Sequence, residues 1–200
     1  MKTVKFYAAG ALAAIAMVFV SCSKDQIEGP ASITDNGDAQ TLGNFQKDGL
    51  VLLLETQKMH KDVYTWINAQ FPDAVFADLA ESDGVFMERL CEKVNNCGIA
   101  NPTLDKLPGE FEDVGVQNSY NEFLRLTSGD LQAMIENARV MEEELISTVQ
   151  EQQLNLCGND DIRLIYGNLI QETATQLKAL KDKMKGLVYE DDPRNDIRDQ

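Results

Sequence analysis

"VFADLAESDGVFMERLCEKV", Val75–Val94, places Val75, Leu79, Phe86, Leu90 and Val94 at the spacing of one face of an α-helix. Asp83 falls on that same face, between Leu79 and Phe86. A core-facing stripe with a carboxylate at mid-length predicts a bundle helix that contributes to a polar layer inside the bundle.

Working outward from this stretch, the chain reads as helices with no convincing strand. Before it, Asp48 is placed as an N-cap for a helix to Gln70, with Leu52, Met59, Val63 and Trp66 as its apolar stripe. Phe71-Pro72 separates the two helices, because proline is tolerated in a first turn and not in an interior. After it, "NNCG" stops the second helix near Asn95, and a crossover, "NPTLDKLPGEFEDVG", leads to a short helix around Gln117–Leu126. Asp130 caps a long helix with Leu131, Ile135, Ala138, Leu145 and Val149 on one face. Asp160 opens the last, which presents Ile162, Leu169, Leu180 and Leu187. Two antiparallel pairs joined by one long crossover define an all-α, ferritin-like four-helix bundle over residues 48–188, with the short extra helix in the crossover.

A ferritin-like bundle that binds two metals needs inward carboxylates and histidines at mid-length. Glu55 and Asp62 sit on the first helix, Asp83 on the second, Glu142 with Glu143 on the third long helix, and Thr173 and Gln176 on the last. The blocks "ETQKMHKDVY", "AESDGVFMERL", "GEFEDVGVQNSYNEFL", "MEEELI" and "DIRLIYGNLIQETATQLKAL" occur in that order between Glu55 and Leu180. Together they resemble the ferritin-like domain-of-unknown-function family 2202. The resemblance implies a di-metal bundle, with Glu55 and Glu142-Glu143 matching the family's acids and Asp83 standing for a glutamate. It also implies a loss: Phe86 replaces the histidine of SExxH, Ala174 and Gln176 replace the glutamate and histidine of SENH, and Gly167 replaces the glutamate of YENL. The expectation is a degenerate site with no metal; if a metal binds at all, Glu55, Asp83 and Glu142 are its candidate ligands.

His60, the one histidine of the chain, lies off the apolar stripe and is expected at the rim or in solvent, away from any ligand position. Three carboxylates facing one dry layer cannot all stay charged, since each unpaired buried charge costs several kcal/mol. They would be protonated against Thr173 or Gln176, paired with an inward base such as Lys58, or bound to a hard cation such as Ca2+ or Mg2+.

The chain opens "MKTVKFYAAGALAAIAMVFVSC": lysines at positions 2 and 5, an uncharged run from Phe6 to Val20, then Ser21-Cys22. This reads as a secretory signal over residues 1–21, too short to span a membrane comfortably. Its end resembles a bacterial lipobox, with Phe19 in place of the usual aliphatic residue. That implies lipidation at Cys22, an outer-membrane address and, from the following "SKDQIE", exposure at the cell surface, with the periplasmic face as the alternative. Residues 22–47 read as a flexible tether and 189–200 as a polar tail. The formal net charge of −15 becomes more negative once the two leader lysines are removed, so nucleic acid is a poor partner. Cys91, Cys97 and Cys157 then remain in an oxidising compartment. The bundle topology brings Cys97 and Cys157 to one end, predicting a bridge that closes about 60 residues and contributes roughly 4 kcal/mol; Cys91 with Cys97 is the alternative. No phosphate loop, CxxC motif or serviceable catalytic triad is present. The functional expectation is a lipid-anchored binding or structural module for an unidentified protein or small molecule. A di-iron or manganese oxidoreductase and a carboxylate-only cation binder are the alternatives.

Overall fold

The computed structural model describes residues 42–127, 129–154 and 160–190. The leader, Cys22, most of the tether, Cys157 and the end of the tail lie outside the described residues, and so does the proposed Cys97–Cys157 bridge. Cys91 and Cys97 are not bridged to each other.

Five helices make up the described chain: α1 (Asn44–Gln70), α2 (Ala74–Asn96), α3 (Val114–Thr127), α4 (Leu131–Leu154) and α5 (Asp160–Glu190). Helices α1 and α2 form one hairpin and α4 and α5 the other, each pair packed along its length, while the crossover between the hairpins carries α3 against α4 and α1. This is the all-helical bundle expected from the stripes.

Helix α1 begins four residues ahead of the expected Asp48 cap. Gly43 is the N-cap, and its N–H donates to Gln46 Oε1 at 3.2 Å. Leu42 is already buried in the core, so the apolar anchor at the helix entrance lies within the segment read as tether. Asp48 is therefore interior. Pro72 falls in the turn just ahead of α2, whose cap is Asp73, accepting Val75 N–H at 2.9 Å. Asp130 caps α4 as expected, with Oδ1 accepting the Ala133 N–H at 3.0 Å.

The core is divided in two along the bundle. Leu50, Leu54, Phe86, Leu90, Leu145, Val149, Ile162 and Leu169 fill one end. Met59, Val63, Ile67, Phe76, Leu79, Ile135, Ala138 and Leu180 fill the other. Each long helix changes from one cluster to the other at mid-length, and buried polar side chains lie at each of those changeovers.

Candidate functional site

On α2 the changeover between Leu79 and Phe86 is Asp83, and on α4 the changeover between Ala138 and Leu145 is Glu142. On α5 it is Thr173 and Gln176, between Leu169 and Leu180; on α1 it is Gln57 and His60, between Leu54 and Val63. All six are buried, and Gln176, the most accessible, is 4% exposed. A bundle interior tolerates such a layer only when its polar groups compensate one another.

Four of the six, His60, Asp83, Glu142 and Gln176, are compensated across the two hairpins, at least at one atom each. His60 Nδ1 lies 3.1 Å from Glu142 Oε1, and the Tyr64 hydroxyl donates to the same oxygen at 2.5 Å. Gln176 Nε2 donates to Asp83 Oδ1 at 2.6 Å. The second oxygens, Asp83 Oδ2 and Glu142 Oε2, have no partner among the described residues, and neither do Thr173 Oγ1 and the Gln57 amide.

Protonation follows from this environment. Burial, reinforced by the nearby Glu142 charge, pushes the Asp83 carboxyl up to about 8, so Asp83 is largely protonated at neutral pH. Burial alone would lower His60, but the charge and hydrogen bond of Glu142 outweigh it and raise the imidazole above its usual value. Burial beside Glu142 holds the Tyr64 phenol far above its ordinary range. The layer thus sets the His60 imidazole, whose hold on its proton Glu142 strengthens, beside an Asp83 carboxyl that burial favours in its neutral form.

The expected rim position of His60 is wrong: it is 1% exposed and central to the layer. Hydropathy favoured the stripe through Leu52 and Trp66, which are only partly buried. The deepest stripe runs through Leu53, Gln57, His60, Tyr64 and Ile67, rotated by about one residue on a helix. Gln57, His60 and Tyr64 occupy its middle, so an apolar pattern could not find it; the heptad spacing of those five residues was the available signal.

Other expected layer residues lie elsewhere. Glu55 turns toward the crossover, where its carboxylate accepts the N–H groups of Glu112 at 2.5 Å and Asp113 at 2.8 Å. Asp62 accepts from Lys58 Nζ at 2.7 Å and from the Gly109 N–H at 2.9 Å. Lys58 therefore serves Asp62 and the crossover, not the layer acids. Glu143 points outward to Arg139 and Lys181, at 2.6 and 3.2 Å. Phe86 is buried in the apolar cluster next to the layer.

A di-metal centre needs several imidazole and carboxylate groups converging on open positions. Here Glu55 is bound to backbone, Phe86 supplies hydrocarbon, and His60 directs Nδ1 to Glu142. Among the described residues no group of three His, Cys, Asp or Glu side chains is arranged to hold a metal ion. The residues present do not fit such a centre.

The profile of the uncharacterized protein domain DUF2202 matches residues 46–192. The chain belongs to that family. A curated relative, the uncharacterized protein MJ0754 of Methanocaldococcus jannaschii, is 23% identical over 141 residues, spanning 70% of this chain and 75% of that protein. The crystal structure of the hypothetical protein MJ0754 from Methanococcus jannaschii superposes with a TM-score of 0.71 at 18% identity, covering 78% of this chain and 87% of the other. At that identity the likeness establishes the shared helical fold. DUF2202 therefore supplies the architecture, and the chemistry must be argued from the layer itself.

Proposed function

We propose that this DUF2202 chain is a surface-exposed bacterial lipoprotein, anchored through Cys22, whose ferritin-like bundle has lost its di-metal histidine ligands and acts as a binding or structural module. The observation that carries this reading is the diversion of Glu55, the family's first acid, into a clamp on the crossover backbone. Phe86 in place of a histidine and the closed pairing of His60 with Glu142 support it further. Glu55, His60 and one oxygen each of Asp83 and Glu142 are already engaged by protein groups.

The unpartnered oxygens Asp83 Oδ2 and Glu142 Oε2 favour a second reading, a small hard cation held between carboxylates. Glu55 would take no part in it. Metal content by mass spectrometry separates the readings, using the soluble form that begins after Cys22, purified without chelator and again after incubation with Fe2+, Mn2+, Zn2+ and Ca2+. No stoichiometric metal is expected. Two iron or manganese atoms per chain, lost in Glu142→Ala, would restore an oxidoreductase; one calcium, lost in Asp83→Asn, would establish the cation binder.

A further inference from the structure

The crossover is pinned to α1 at three places. Lys58 Nζ donates to the Leu107 carbonyl at 2.8 Å, Asp62 accepts the Gly109 N–H, and Glu55 accepts those of Glu112 and Asp113. Phe111 is its inward anchor, with Lys58 Nζ 4.7 Å from the ring centroid and the Tyr120 ring 5.4 Å away. The same segment turns large apolar side chains to solvent: Leu104, Leu107 and Val114 are 67%, 65% and 72% exposed.

Side chains this exposed contribute little to folding. A loop fixed by buried charged groups also has little freedom to tuck them in. Exposed apolar groups this close in sequence, on a segment pinned at three places, mark a surface for another molecule. Their surroundings specify its chemistry. Asp105, Glu110, Glu112 and Asp113 are exposed beside them, while the one base of the segment, Lys106, is engaged by Glu112 at 3.2 Å. That contact and the Glu110 Oε2 that accepts the Leu107 N–H at 3.2 Å tie the segment to itself, so that exposed apolar and acidic residues alternate along one short, pinned stretch.

We propose that this acid-rimmed apolar crossover is the docking surface for a basic, amphipathic segment of a partner protein. The inference rests on the reading of the bundle as a binding module. An anionic lipid surface is a poor occupant, because the rim would repel it.

The test is amide shift mapping on the 15N-labelled full chain, titrated at physiological salt with a synthetic amphipathic lysine–leucine helical peptide. A lysine–glutamine peptide of equal charge is the comparison. The shifts are expected within residues 101–115. Combined Leu104→Ser, Leu107→Ser and Val114→Ser replacement is expected to weaken binding at least about tenfold while leaving the urea midpoint unchanged. Shifts spread over the acidic faces of α4 and α5, equal binding of the two peptides, or an unaffected triple variant would overturn the proposal. Phosphatidylglycerol vesicles binding through the same residues would overturn it in favour of lipid. Metal content of the same sample is judged separately: stoichiometric metal would remove the module reading and leave the shift map to decide the docking surface.

Discussion

Glu142 is the residue on which the layer converges, with no measurable exposure and with Tyr64 and His60 both directed at one of its oxygens. Removing one member of a buried, hydrogen-bonded set strands the others, which usually costs more than the interaction itself contributed. Glu142→Ala leaves a phenol and an imidazole without an acceptor and opens space in a packed core. A loss of about 3 to 5 kcal/mol is expected by urea denaturation. Glu142→Gln keeps the volume and one acceptor, and is expected to lose less than half as much. Equal losses would mean that the layer needs the carboxylate itself and that neither the retained volume nor the single amide acceptor can stand in for it. Asp83, Glu142, Thr173 and Gln176 were legible as interior polar positions because each interrupts an otherwise apolar stripe. His60 was not, because its whole stripe is polar at the centre and only tertiary contact with Glu142 explains its burial.

At the scale of elements, the polar side chains of α1 do most to place the crossover. Glu55 accepts two backbone N–H groups at the entrance to α3, where Asp113 Oδ1 also takes the Val116 N–H at 2.9 Å. A carboxylate there also favours the positive end of the helix dipole. Glu55→Ala is expected to cost about 1 to 2 kcal/mol, the range of a lost cap. Faster amide hydrogen exchange should be confined to Glu112, Asp113 and the first turn of α3; exchange that rises evenly through the bundle would show that Glu55 supports the core. Helix existence and order were readable from apolar periodicity, since four long stripes and their caps are local features. The start of α1 was missed because its entrance depends on Leu42 finding the core, a contact distant in sequence. The role of Glu55 was missed for the same reason, its partners lying 57 and 58 residues away.

For the whole molecule, the layer couples the joining of the two hairpins to proton uptake. His60–Glu142, Tyr64–Glu142 and Asp83–Gln176 each link the first hairpin to the second. The folded chain keeps a proton on Asp83 up to about pH 8, whereas the unfolded chain releases it near the ordinary value of 3.8. Between those limits the folded state holds the extra proton, so stability falls as pH rises, by up to about tenfold in the folding constant per pH unit. His60 acts in the same direction. Its folded value is raised above 6.5, so its contribution is complete below that pH and is lost as pH climbs through the folded value. Groups of opposite sign, such as Asp73 beside Lys183 and Glu143 beside Arg139, are held below their ordinary values. Their contributions fade only in stronger acid, outside this window. Urea midpoints taken from pH 5 to 8 are therefore expected to decline for the native chain. Asp83→Asn cannot hold the titrating proton, yet it offers Gln176 an amide oxygen in place of the carboxyl. It is expected to flatten most of the slope and to leave the parts carried by His60 and by Glu144, whose carboxyl burial also raises. Parallel profiles for the two proteins would mean that Asp83 is charged in the folded bundle and that its unpartnered oxygen is compensated by something other than a proton.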